Sequence, residues 1–172
     1  MKLAFPLLVA ACTAALAAAP ARADEIFGGL YKHDVSIVAV GHMEQGVDFE
    51  LGWRGPKILR AIGGPRPHFL VSLNSAGDTH FAAAGISWRI GNPVYVRPGV
   101  GLAIHTGPGH FSTDRIWFGS RVLFEPEIGL GVQLTPRASV EASWVHLSHA
   151  YIFGRQNPGV DTVGLRFNYR FR

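Results

Sequence analysis

The carboxy-terminal segment constrains the fold most. Val163, Leu165, Phe167, Tyr169 and Phe171 alternate there with Thr162, Gly164, Arg166, Asn168 and Arg170. Successive side chains of a strand point to opposite faces, so this two-residue period marks a strand with one apolar and one polar face. The same signal recurs upstream. It runs through 122–134 (Val122, Phe124, Pro126, Ile128, Leu130, Val132, Leu134 on one face), 94–104, 82–90 and 47–54. Shorter or less regular segments at 35–40 and 68–74, with the stretch 139–148, bring the predicted number of strands to eight. Hydrophobic residues make up 48% of the 172-residue chain, too many for a disordered protein. Past the first twenty residues no apolar run approaches the ~20 that a membrane helix needs. The apolar residues are instead spread along strand faces, which excludes a helical membrane protein.

Which face of the sheet is wet decides the class. The polar set contains Glu50, Arg54, Arg89, Arg97, Glu125, Glu127, Glu141, Arg166 and Arg170, separated by glycines. In a soluble ligand-binding barrel these residues would face water. A solvated face normally carries many lysines, and this one is rich in glycine instead. The apolar strands run from nine residues (82–90) to thirteen (122–134), matching the ~9–11 residues that cross a bilayer at a tilt. The final strand also ends on an aromatic residue, as outer-membrane barrels do. The sequence therefore predicts an all-β, eight-stranded antiparallel transmembrane barrel. Its charges point into a lumen just wide enough for side chains to fill, and closure satisfies every backbone group in lipid. Short connections at 91–93 and 135–137 fit the periplasmic side, and longer ones at 106–119 and 149–160 the extracellular side. The long connection 55–67 is the exception.

Residues 1–23 read as an export signal: Lys2, the apolar run Leu3–Ala19, then Ala21-Arg22-Ala23 before Asp24. The segment Val9-Ala10-Ala11-Cys12 resembles a lipidation site, but cleavage there would strand a second apolar stretch ending in Ala-x-Ala. The ordinary signal peptide is the better reading, leaving 24–172 as one barrel domain. Without Lys2 and Arg22 the domain carries 14 basic residues against 12 acidic ones, so the basic balance of the full chain does not point to nucleic acid. Its loss also removes Cys12, the single cysteine, and with it disulfides and thiolate metal sites. The remaining histidines (His33, His42, His68, His80, His105, His110) show no ligand spacing; neither a metal nor a cofactor is expected.

One strand departs from the pattern. In 139–148 the even positions Val140, Ala142 and Trp144 form the lipid face, and His146 and Ser148 continue that row toward the extracellular end. Asp161 shares the parity of Val163 and Leu165 and faces lipid at the same rim of the next strand. An imidazole beside a hydroxyl is the minimal set for an activated nucleophile, and a carboxylate completes it by orienting the imidazole. The competing reading is three ordinary interfacial residues at headgroup level.

A resemblance bears on that choice. His146-Leu147-Ser148-His149-Ala150, followed by Gln156-Asn157-Pro158-Gly159-Val160-Asp161 and the terminal strand, is similar to the carboxy-terminal signature of PagL-type lipid A 3-O-deacylases. The likeness is specific over about 139–172. It implies an eight-stranded outer-membrane barrel with the catalytic residues on its outside: Ser148 as nucleophile, His146 as general base, Asp161 as the orienting acid, and backbone amides at His149 and Tyr151 as oxyanion donors. Asp161 stands where the family commonly has Glu, His149 where it has Asn, and Tyr151 where it often has Gly. The implied partners are lipid A or lipopolysaccharide as substrate, outer-membrane lipid, and a second copy in a homodimer. Arg155 could meet a lipid A phosphate, although an ordinary solvated loop charge describes it better. Two rivals remain. A twelve-stranded phospholipase barrel needs more residues than the 149 left after cleavage. A non-catalytic structural or adhesin-like barrel differs only in whether His146, Ser148 and Asp161 meet.

Overall fold

The computed structural model describes residues 24–39 and 42–171; the predicted export signal lies outside them. Eight antiparallel strands pair in sequence order and close, the first on the last. They are β1 (Glu25–Lys32), β2 (Val47–Arg54), β3 (Arg66–Asn74), β4 (Phe81–Ser87), β5 (Val94–His105), β6 (Val122–Gln133), β7 (Ala138–Leu147) and β8 (Val160–Arg170). The long connection 55–65 carries a single 3-10 turn at Arg60–Ile62. Both ends of the described chain meet at one rim, where the Phe171 amide donates to the Asp24 carbonyl at 2.9 Å.

The strand count agrees with the alternation, but the first strand does not lie where it was expected. Residues 35–39 form a loop, and β1 is Glu25–Lys32 instead. Its alternation is masked because Phe27 and Tyr31 point inward and are buried, while Ile26 and Leu30 point out. With hydrophobic residues on both faces, the polar-apolar contrast disappears. The inward rings earn their place by covering cations: the Arg54 guanidinium lies 4.0 Å from the Phe27 ring centroid and Arg166 4.6 Å from it. The segment 82–90 is likewise shorter than expected, since the ladder ends at Ser87 and only an isolated Ile90–Val96 bridge follows.

The wall is inverted relative to a soluble protein. Leu30, Phe49, Leu102, Leu130, Leu165 and Phe167 are exposed on the outside, while Glu25, Arg54, Arg97, Glu125, Glu141 and Arg166 are buried within. Arg166 joins Glu50 (2.8 Å), Glu127 (2.9 Å) and Glu141 (3.2 Å); Arg54 binds Glu25 (2.9 Å), and Arg97 binds Glu141 (2.8 Å). Arg54, Arg97 and Arg166 thus each have carboxylate partners that offset their desolvation. Arg89 and Arg170 line the mouth at the rim that carries the termini, where Arg170 reaches Glu25 of the plug at 3.6 Å. Close packing explains the inward glycines: a Cβ at Gly131 would overlap the Tyr95 ring. The barrel is a filled transmembrane cylinder whose outer surface is its lipid contact.

At the opposite rim a second polar knot ties the loops together. His33 sits between Asp48 (2.8 Å from Nδ1) and Glu44 (3.0 Å from Nε2). Glu44 in turn accepts from the Thr79 amide and hydroxyl and from the Ile116 amide. Burial alone would push the His33 imidazolium down; the bonds and charges of Asp48 and Glu44 outweigh it and raise its pKa to about 9.

Candidate active site

Register brings the polar row of β7 against β8. His146 lies directly opposite Asp161, one step beyond the pair Trp144–Val163 and just before Leu147–Val160. Such cross-strand neighbours are ~4.5–5.5 Å apart at Cβ, which suits a short acid reaching an imidazole. Asp161 Oδ1 lies 2.7 Å from His146 Nδ1. A carboxylate accepting at Nδ1 favours, for the neutral imidazole, the tautomer with its proton on Nδ1 and the lone pair on Nε2, the form a general base uses. Nε2 has no hydrogen-bond partner among the described residues.

Ser148 follows two residues on, just past the end of β7. Its main chain makes an isolated bridge to Phe124 of β6, the amides exchanging bonds of 3.2 and 2.7 Å. That bridge holds the residue in the strand's line and keeps its side chain on the same face as His146. Its hydroxyl makes no hydrogen bond among the described residues. Although they face outward by parity, His146, Ser148 and Asp161 are all buried. Loop residues 37–39 lie against Asp161, and Gly159 lies against His146. A Cβ at Gly159 would lie 2.7 Å from His146 Cε1, so a side chain there would push the imidazole out of place.

Two contributors were not legible in the sequence. Trp144 reads as part of the apolar wall, yet its indole N–H donates to Asp161 Oδ1 at 2.9 Å and its ring stacks on His146 with centroids 5.9 Å apart. The other oxygen of Asp161 accepts from the main-chain amides of Ile37, Val38 and Ala39 at 3.1, 2.6 and 2.7 Å. An amide has no side-chain signature, and 35–40 reads as a strand, so nothing in the sequence pointed to it.

The two expected oxyanion donors part company. The His149 amide donates to Asn157 Oδ1 at 2.8 Å and is engaged. The Tyr151 amide has no acceptor among the described residues. Ala150 and Tyr151 hold φ of 51° and 60°, the left-handed region that glycine enters without cost; this turn keeps that conformation without a glycine. Arg155 is an exposed loop residue. Beside Trp144 an apolar groove of about 450 Å³ runs down the outer wall between β6, β7 and β8, lined by Ile128, Leu130, Ala142 and Val163, with Ile37 at one side.

The chain is similar to known proteins of this fold. The "Lipid A deacylase PagL" of Bordetella bronchiseptica (strain ATCC BAA-588 / NCTC 13252 / RB50) is 36% identical over 84 residues, 49% of this chain and 45% of that protein, so the match spans less than half of the relative. The crystal structure of the outer membrane enzyme PagL superposes with a TM-score of 0.62 at 18% identity, covering 86% of this chain and 99% of that one, a likeness of fold. A model of the family "Lipid A 3-O-deacylase (PagL)" matches residues 49–170, from β2 to the end of β8, a span that includes His146, Ser148 and Asp161. With its barrel and that cluster in place, the chain belongs to the PagL family of lipid A 3-O-deacylases.

Proposed function

We propose that this protein is a Gram-negative outer-membrane esterase that removes the 3-O-linked acyl chain of lipid A, with Ser148 as nucleophile, His146 as general base and Asp161 as orienting acid. The observation that carries the reading is the buried His146–Asp161 pair on the lipid side of the wall, its Nε2 without a hydrogen-bond partner among the described residues and on the face that Ser148 shares. Polar groups on a lipid-facing surface are costly and call for a use.

As Ser148 Oγ attacks the ester carbonyl, His146 Nε2 takes its proton, and the imidazolium is balanced by Asp161. The tetrahedral intermediate collapses by breaking the bond to the sugar 3-oxygen, which leaves with the proton from Nε2. Water, deprotonated by the same nitrogen, then attacks the acyl-enzyme and releases the fatty acid, restoring Ser148. The Tyr151 amide, with no acceptor among the described residues, is the more available of the two expected oxyanion donors, since that of His149 is engaged by Asn157. The groove beside Trp144 offers an apolar seat for an acyl chain of a substrate arriving laterally through the leaflet. A homodimer would leave this site intact, since all three residues come from one chain.

Mass spectrometry of lipid A from cells expressing the wild type and Ser148→Ala tests the proposal. Loss of one 3-hydroxyacyl chain with the wild type and not with Ser148→Ala is the expected outcome. Unchanged lipid A in both, with the protein folded in the outer membrane, would leave the non-catalytic barrel standing.

A further inference from the structure

The two oxygens of Asp161 have separate partners. Oδ1 faces His146 and Trp144, whereas Oδ2 takes three consecutive main-chain amides, those of Ile37, Val38 and Ala39. Consecutive amides converging on one point form a concavity suited to a negative charge. The segment that supplies them is braced on both sides. The Val35 amide donates to the Asp161 carbonyl at 2.9 Å. Further along the loop, Asp34 Oδ2 accepts from the Met43 and Glu44 amides at 2.7 and 2.9 Å. Hydrogen bonds between an amide and an ionised acceptor are short and strong, and three of them on one oxygen leave the carboxylate little freedom to turn.

We propose that the Ile37–Ala39 main chain is a positioning element for the reaction: its amides hold Asp161 with Oδ1 toward His146 and stabilise the charge that balances the imidazolium. This inference rests on the Ser148–His146–Asp161 reading and goes beyond it by making the β1–β2 loop part of the catalytic geometry. Ile37 also borders the apolar groove beside Trp144, so an acyl chain seated there packs against the segment that grips the acid. A carboxylate one carbon shorter than Glu leaves less play between backbone and imidazole, and the amides take up its far oxygen.

The test is Val38→Pro, which removes the shortest of the three donors, compared with Val38→Ala, which keeps it. Folded protein is selected by heat-modifiable electrophoretic mobility. The expected result is a kcat lowered about 100-fold in Val38→Pro, the scale of a misplaced catalytic group, with KM unchanged. Val38→Ala should recover kcat to within about threefold, as ordinary surface substitutions do. In an Asp161→Ala background Val38→Pro should add nothing, because both changes act through one interaction. Equal kcat in Val38→Pro and Val38→Ala overturns the proposal, and so does an undiminished effect of proline in the Asp161→Ala background. If the proline variant does not fold, replacing the Val38 amide by an ester through cell-free translation into liposomes removes the same donor. A fall in kcat then supports the proposal and an unchanged kcat overturns it. An active Ser148→Ala would instead overturn the triad itself, so the two failures are distinguishable.

Discussion

Two histidines at one rim, on opposite sides of the barrel wall, have different fates. His33 lies inside with both nitrogens taken, one by Asp48 and one by Glu44, and is completely buried. His146 lies outside with one nitrogen taken by Asp161 and the other without a hydrogen-bond partner among the described residues. They are close in the fold: Lys32 pairs with Val163 across β1 and β8, and the Val35 amide reaches the Asp161 carbonyl. An imidazole saturated on both sides cannot exchange a proton without breaking a bond, so it serves as a strut. One saturated on a single side is oriented yet still basic. The difference lies in where each strand ends and which loop covers it.

Replacing each histidine breaks the comparison most sharply. In a lipid A deacylation assay His146→Ala should lower activity by about 10⁴-fold or more, as loss of a triad member does, with the barrel still folded. His33→Ala should keep the activity of the folded fraction. It should lower unfolding stability by about 3–5 kcal/mol, because Asp48 would be buried without its cation and Glu44 would be left with Arg115 at 3.5 Å; urea titration in lipid vesicles reads this. Activity lost in folded His33→Ala would show that the division of roles is wrong.

Smaller changes sharpen the outer half of the comparison. Gly159→Ala places a methyl group against the His146 ring and should cost about 100-fold in kcat by displacing the base, with little effect on barrel mobility in electrophoresis. Trp144→Phe keeps the stacked ring and removes the N–H to Asp161. The loss of one such bond, about 1 kcal/mol, should appear as roughly a five- to tenfold fall in kcat. A Trp144→Phe enzyme as fast as the wild type would reduce Trp144 to apolar wall.

The inner histidine also carries a dependence on pH. His33 titrates at about 9 in the folded state against an ordinary 6.5, so the folded state holds the extra proton between those values. Its contribution to stability is complete below about 6.5 and declines as pH rises through about 9. Glu44 has the opposite sign: burial raises its pKa, but its bonds to His33, Thr79 and Ile116 outweigh that and lower it. Its contribution is present above its ordinary value and is lost as pH falls into the acid range. Unfolding midpoints should therefore decline on the alkaline side in the wild type and stay flatter in His33→Gln. Equal slopes in the two would remove His33 as the cause.

Much of the architecture was legible because a two-residue period survives any tertiary context. Parity put His146, Ser148 and Asp161 on one face, and the glycine-spaced charges belonged inside. β1 was missed because its inward residues, Phe27 and Tyr31, are aromatic, placed there to cover arginines that come from other strands. The His33 knot was not seen because its members come from the strand ends and loops of three separate connections. The shorter extent of β4 follows from ladder pairing, which an isolated strand does not reveal.

By itself the sequence determined the closed eight-stranded barrel, the orientation of its faces and the row of three candidate residues, since alternation alone assigns each side chain a side. Only the tertiary structure decided how that row is held. Register set His146 against Asp161, and the β1–β2 loop brought three amides to the carboxylate. Trp144 turned a polar edge toward the same oxygen as the imidazole. The physical reason is that these supports are main-chain donors, a ring edge and a missing Cβ. Their direction depends on where the chain folds back, and no pattern of side-chain types encodes it.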